Sequence, residues 1–303
     1  MRSIKGKKIT WVDIFRPTEE DVAALKKFGS FHPIIIDEIL HPSNRTRIEQ
    51  YGEYLFMVYH FPEYDPATRT SRRTEIDCLI TKDTIITIHY ENLEQINSLF
   101  DLFSRNQKER DRVLSQSTLL ATYYAFEKAI SFSLRQLRHI EEEVAAAGQD
   151  IFNGEEEEML KRISYIKRNI LDYRLIVHLQ ERFFSELITI GHAFWGERSR
   201  VYLADLANDN APVHRNLENY YQTIESLETT NAQLLDAQTN KIIKRFTIGT
   251  FLGSLPLYFV FFSEFEYIHD IFASTPTRFW STFIFVHLLV FGLWFSFRHR
   301  KIV

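Results

Sequence analysis

Cysteine is almost missing from this chain: Cys78 is the one such residue among 303. No intrachain disulfide can form, and a reducing compartment suits the protein. Glycine (10) and proline (8) are sparse as well, which excludes collagen-like and low-complexity architectures. There is no HExxH pair, no clustered Cys/His spacing, no GxSxG elbow, no phosphate loop and no dinucleotide fingerprint. Zinc hydrolysis, structural zinc, serine hydrolysis and nucleotide-driven chemistry therefore have no motif to rest on. The expectation is a chain that is not an enzyme and holds no cofactor tightly. A formal net charge of −4 lacks the basic surplus that nucleic-acid binding uses, so nucleic acid is not an expected partner. The opening MRSIKGKK has no apolar run behind it and does not read as a secretory signal.

Charge is also missing from two stretches near the C-terminus, and there the absence is informative. Residues 246–262 read FTIGTFLGSLPLYFVFF and residues 279–297 read FWSTFIFVHLLVFGLWFSF. Each approaches the ~20 apolar residues that carry a helix across a ~30 Å hydrocarbon core. Lys241, Lys244 and Arg245 precede the first run, and Arg298, Arg300 and Lys301 follow the second. The segment between them, 263–278, carries Glu264, Glu266 and Asp270 against Arg278. Basic flanks stay in the cytosol. The expectation is a multi-pass protein of the cytoplasmic (inner) membrane with lipid as a partner. Both termini would be cytosolic, with 263–278 a short outside loop and 298–303 a basic cytosolic tail.

Within the spans, Gly249 and Gly253 form a small-xxx-small pattern that favours close helix approach. Pro256 is expected to bend the first span. His287 lies mid-span, as a functional group or as a neutral imidazole bonded to a neighbouring helix. Glu264 and Glu266 have two readings, acidic rings at an outer mouth that select cations, or loop solubility.

Upstream, residues 1–115 read as an α/β domain. Thr18 with Asp21 is a helix N-cap. Residues 54–61, 75–81 and 85–90 are β-branched and aromatic runs, predicted as strands, with a turn at Asp65-Pro66 and a hairpin at residues 82–84. Residues 116–212 read as helical, with one helix over 117–147, a second over 155–190 and a turn between them. The EEEE run at 155–158 reads as a solvated helix start, since consecutive carboxylates point all around a helix; the alternative is a divalent-cation site.

A stalk helix is predicted over 213–262, continuing into the membrane at about residue 246. At 1.5 Å per residue it would be ~75 Å long and would need packing partners. Leu217, Tyr220, Ile224, Leu227, Asn231, Leu234 and Gln238 recur at steps of three and four, a heptad seam. The simplest partner is another copy of the chain. Asn231 and Gln238 on this stalk axis either fix register or line a wet centre.

With those pieces in order, the chain resembles the CorA family of divalent-cation channels. The resemblance lies in Trp11-Val12-Asp13, PTEEDV, FHPIIIDEILHPSNRTRIEQYGEYLFMVYHF, ITKDTIITIHYENLEQI, and HRNLENYYQTIESLETTNAQLLDAQTNKIIKRFTIGTFLGSLPLYF with the basic ending RHRKIV. It implies a CorA-like funnel: an α+β cytosolic domain, a long stalk helix and two C-terminal transmembrane helices, assembled as a homopentamer. It also implies a gated pore moving divalent cations, Mg²⁺ first and Co²⁺ second, down their gradient, with cytosolic Mg²⁺ as regulator. By the match, Asn240 is a polar pore ring, Ile243 an apolar constriction, and Thr247 and Thr250 hydroxyls further along; the threonines have the alternative of backbone bonding within the helix. Carboxylates available to sense cytosolic metal include Asp13, Asp37, Glu38 and residues 141–143, among which the sequence does not choose.

One departure bears on the ion. The family's Gly-Met-Asn triplet is absent, and the corresponding region reads Phe262-Ser263-Glu264-Phe265-Glu266-Tyr267. Two other expectations therefore stand beside the first: a channel of altered selectivity (Zn²⁺ or monovalent ions), and a non-conducting membrane scaffold or sensor. The residues that would hold a metal are left unassigned.

Overall fold

The computed structural model describes residues 1–272 and 274–299. The last residues of the predicted basic tail, 300–303, lie outside the described residues, as does Ala273. The chain divides into two compact units, Met1–Glu228 and Thr229–Val303.

The first unit is built on a six-stranded sheet in the order β1-β2-β6-β5-β4-β3. Its strands are β1 (Arg2–Lys5), β2 (Thr10–Phe15), β3 (Arg47–Tyr51), β4 (Tyr54–Asp65), β5 (Thr70–Ile80) and β6 (Thr84–His89). Only β2 and β6 pair in parallel, Trp11 opposite Ile85; the other pairs are antiparallel. The apolar runs of β4, β5 and β6 have a simple cause, because both faces of the sheet are covered. Leu55, Met57, Tyr59 and Phe61 enter one core, while Phe56 and Val58 enter the other. The edge strands β1 (RSIK) and β3 (RIEQY) are charged, which discourages pairing with other chains.

The smaller core is closed by α1 (Glu19–Leu25) and α2 (Pro33–Glu38). The predicted cap of α1 forms as a full capping box: Asp21 N–H donates to Thr18 Oγ1 at 3.2 Å and Thr18 N–H to Asp21 Oδ2 at 3.2 Å. The larger core takes in α3 (Glu94–Arg105), α4 (Gln107–Val113), α5 (Thr118–Asp150) and α7 (Gln180–Trp195), while α6 (Glu156–Val177) buries a separate apolar set that includes Ile163, Ile170 and Tyr173. The centre of the larger core is aromatic: Tyr59 lies 5.1 Å from Phe126 and 5.2 Å from Phe183, ring centre to ring centre. The helix predicted over 155–190 is two helices, broken at His178 and Leu179, and Gln180 at the break donates to the carbonyl of His60 on β4 at 2.9 Å. The turn at Gly154 uses φ +84°, a region that suits glycine.

Helix α8 (Ser199–Phe262) begins fourteen residues before the predicted stalk start and spans 64 residues. Pro212 costs it a hydrogen bond without ending it. In the second unit α8 is followed by α9 (Glu266–Phe272) and α10 (Pro276–His299). The predicted loop 263–278 is thus partly helical. Phe259 of α8 packs on Phe279 and Phe283 of α10 at 5.8 and 6.3 Å.

Candidate functional site: two opposite faces of helix α8

Helix α8 carries most of the residues singled out from the sequence, and it does not put them together. In the first unit the heptad seam faces the chain's own helices. Leu217 and Ile224 are fully buried in a single copy. Lys167 of α6 reaches Glu228 at 2.6 Å and Glu225 at 3.9 Å, and Arg174 reaches Glu218 at 3.4 Å. Burial and a hydrogen bond to Glu141 of α5 push the Tyr220 phenol up to about 12. A cavity of about 690 Å³ lies beside Leu217, between α6 and α8, lined also by Leu171, Val177 and His214. Over 217–228, within the first unit, the seam therefore meets helices α5 and α6 of the same copy and not another copy.

Asn231 continues that seam and is fully buried within one copy. At about 100° per residue, Asn231 and Asn240 are nine residues and roughly 180° apart on a helix. Both cannot face one centre. Gln238, exposed, is seven residues past Asn231 and shares its side. Asn231 is thus covered within one copy, while Gln238 is as exposed as Asn240.

Asn240, Ile243, Thr247 and Thr250 recur at steps of three and four along one side of α8, whose length from 236 to 247 is exposed on every side. Ile243 is 54% exposed in the single copy. The stripe mixes an amide, one aliphatic side chain and two hydroxyls, a set that can hydrate an ion and also close by dewetting.

The spans have apolar surfaces with nothing over them in one copy. Phe246 and Leu257 on α8, and Phe285 and Leu288 on α10, are each at least 64% exposed. The apolar window of α8 has mean hydropathy 1.3 and that of α10 1.7, so both helices are long and apolar enough to cross a membrane. A core helix would be buried, whereas these windows are 6% and 0% buried. A Cβ built at Gly249 or Gly253 meets nothing within 4 Å, so their close approach, if made, is to something other than this copy.

Glu264 lies between α8 and α9 and Glu266 opens α9; both are exposed. Beside them the rings of Phe261, Phe262 and Phe265 pack edge-on or tilted, with centres 5.6 to 6.0 Å apart. The His287 ring bonds through Nδ1 to the carbonyl of Phe283 at 2.8 Å, one turn back on its own helix. The expected partner, a neighbouring helix, is replaced by the same helix's backbone.

Several candidate metal-sensing carboxylates already have structural partners. Asp13 accepts from Arg2 Nε at 2.8 Å and is hydrogen-bonded by Thr87, with His89 at 3.4 Å. Burial opposes its ionisation, but His89, Thr87 and Arg2 together hold its pKa below the ordinary value. Glu38 pairs with Arg47, and Glu143 lies 3.4 Å from His139. Asp37 is exposed. Among the described residues no three His, Cys, Asp or Glu side chains converge as a cation site. Sequence reasoning missed a buried acidic cluster on β5. There Asp77 takes a hydrogen bond from Tyr90 at 3.0 Å, and Glu75 binds His60 at 2.9 Å and the amide of Ser43 at 2.8 Å. Burial, then the negative charge of Glu75, push the Asp77 carboxyl well above its ordinary range. Its only trace in the sequence is Glu75 and Asp77 at a spacing of two within an apolar strand.

An α+β unit whose last helix runs on into two uncovered apolar spans is the build of an integral membrane protein with a large extramembrane body. The chain belongs to the CorA-like Mg²⁺ transporter family, whose model matches residues 6–299. It is 20% identical over 267 residues to the cobalt/magnesium transport protein CorA of Thermotoga maritima, covering 86% of this chain and 75% of that protein. It is 18% identical to the putative metal ion transporter YfjQ of Bacillus subtilis, covering 82% and 76%. Among solved structures it superposes on the CorA magnesium transporter of Methanocaldococcus jannaschii with TM-score 0.80 at 18% identity, over 96% of this chain and 90% of that one. The full-length CmaX protein matches with TM-score 0.66 at 15% identity, over 97% and 88%. These likenesses establish the predicted fold class.

Proposed function

We propose that the chain forms a homopentameric, gated channel that carries divalent cations, Mg²⁺ and secondarily Co²⁺, down their electrochemical gradient. The observation that carries this reading is the spacing of Asn240, Ile243, Thr247 and Thr250, which puts them on one side of an exposed length of α8, roughly opposite the side on which Leu217, Ile224 and Asn231 are buried nearer the N-terminus. A ring of Asn240 amides would receive the hydrated ion, and a ring of Ile243 side chains would close the pore by expelling water. Lipid would cover the outward apolar surface of α10. The basic flank Lys241, Lys244 and Arg245 puts the body in the cytosol of a cell whose cytoplasmic membrane holds the spans. Cytosolic Mg²⁺ would act as regulator as well as cargo, and neither an enzymatic step nor a resident cofactor enters the account.

The test is reconstitution. In liposomes with a Mg²⁺ gradient and no nucleotide, the intact oligomer is expected to take up Mg²⁺, and Ile243→Gly is expected to raise the uptake by removing the apolar ring. Flux no greater than in empty liposomes, from a protein still oligomeric, would reject the channel.

A specific observation favours a second reading, altered selectivity. Where the family has Gly-Met-Asn, this chain has Glu264 and Glu266 beside a cluster of phenylalanines. Acidic rings from those residues attract cations by charge and do not reproduce an amide ring. Competition among Mg²⁺, Zn²⁺ and Na⁺ in the same liposomes separates the readings. If the phenyl rings fully close the outer mouth, the protein is a scaffold or sensor and no ion competes.

A further inference from the structure

Helix α9 (Glu266–Phe272) stands between the two spans on short tethers, residues 263–265 from α8 and residues 273–275 to α10. Its described side chains divide by kind. At about 100° per residue, Tyr267, Ile271 and Phe272 spread over an arc of about 140°, and Glu266 lies about 170° from the middle of that arc. All three apolar side chains are exposed in the single copy, Tyr267 at 81%. Phe265, also exposed, packs on Phe261 and Phe262 at 5.8 and 6.0 Å, so the uncovered apolar surface runs on from the end of α8 to α9. The far end of α9 is fixed in depth. The Thr282 hydroxyl is shared between the carbonyl of Arg278 at 2.9 Å and that of Phe272 at 3.4 Å. Thr282 lies roughly 9 Å along α10 from Pro276, and roughly 4–5 Å past Phe279, where the uncharged run begins. The end of α9 thus stands level with the apolar part of the second span.

We propose that α9 lies half-sunk in the bilayer surface, with Tyr267, Ile271 and Phe272 against lipid acyl chains and Glu266 in water. Two observations make lipid the occupant of this face. The face continues the apolar surface of two helices long and apolar enough to cross a membrane. Its Phe272 end is also tied at a depth where acyl chains replace water. Amphipathic helices in that position bury their apolar side ~5–10 Å into the boundary between headgroups and chains. Aromatic side chains favour the same level, and Trp280, exposed and two residues before Thr282, stands there on α10. The anchor fixes the height of Glu264 and Glu266, the two acids that the altered-selectivity reading uses. The proposal rests on the two spans crossing the bilayer and is independent of conduction.

The test places a fluorescent reporter on the face. Tryptophan suits this level of a membrane, so Tyr267→Trp is made in a full-length chain that also carries Trp280→Phe and Trp294→Phe. The same chain without the Tyr267 change gives the baseline from Trp11 and Trp195. Each protein is reconstituted in phosphatidylcholine vesicles brominated either near the headgroup end or near the methyl end of the acyl chains. Emission from Tyr267→Trp is expected to be lost to both bromines, and more to the shallow one. Loss to aqueous iodide with none to bromine would put the face in water and overturn the anchor. Loss to neither would put the face against a second copy, and greater loss to the deep bromine would bury it inside the span; each overturns the anchor as well. Phe285→Trp and Phe291→Trp, on different sides of α10, are the controls for the spans. If both escape bromine at either depth, the two-span reading fails and the anchor fails with it.

Discussion

Replacing Ile224 and, separately, Ile243 by alanine makes the same chemical change on opposite faces of α8. Ile224 is 0% exposed and sits in the seam that α5 and α6 cover, whereas Ile243 is 54% exposed. Removing a fully buried isoleucine to alanine costs about 2–5 kcal/mol, through lost transfer energy and the cavity left behind. At the exposed site the same change should alter the stability of one copy by no more than about 0.5 kcal/mol. With a urea slope of about 2 kcal/mol per molar, Ile224→Ala should lower the midpoint of the body's unfolding by roughly 1–2.5 M. Trp11 and Trp195 report that transition if Trp280 and Trp294 of the second unit are first changed to phenylalanine. Ile243→Ala should leave the midpoint in place and change only ion flux. Equal shifts for the two variants, or none for Ile224→Ala, would show that the seam is not packed within a single copy.

Three further outcomes follow from the body. Asp77 keeps its proton in the folded state where the unfolded chain, with an ordinary value of 3.8, has lost it. Its contribution is thus fully present below that value and lost as pH rises toward the folded-state value, at up to about 1.4 kcal/mol per pH unit. Asp77→Asn should flatten the decline in thermal stability above pH 4, and an unchanged slope would refute the assignment. Tyr173→Phe removes the buried 2.6 Å hydrogen bond to the Ser133 carbonyl, which keeps its place in the α5 backbone ladder, so calorimetry should show a loss of about 0.5–1.5 kcal/mol. Thr18→Ala opens the capping box of α1 and should cost about 1 kcal/mol, detectable as a lower urea midpoint; a wild-type midpoint would mean that the cap contributes nothing.

The spans, the three central strands and the α1 cap were legible because each rests on local chemistry. Uncharged aromatic runs, β-branched runs and a Thr-x-x-Asp spacing signal their structures without help from distant residues. Strands β1 and β3 were not legible. RSIK and RIEQY are polar because they lie at sheet edges, and polarity hides a strand from a search for apolar runs. The break at His178 was hidden for a different reason: no Gly or Pro marks it, and a tertiary bond from Gln180 to β4 accompanies it. The heptad seam was legible as a seam but not as to its partner. Periodicity shows that a face must be covered and is silent on whether the cover comes from the same copy. Asn240 and Ile243 came from resemblance, and helical spacing puts them on the side of α8 away from the buried Leu217, Ile224 and Asn231.

Whether the Asn240 face meets its counterparts is read most directly by disulfide formation between copies. Cys78 is buried, so a second cysteine can be placed at Asn240 or at Gln238 and oxidised in the detergent-solubilised oligomer. The account predicts covalent dimers from Asn240→Cys and none from Gln238→Cys, which lies about 160° away around the helix. Dimers from Gln238→Cys alone would put the opposite face at the centre and contradict it.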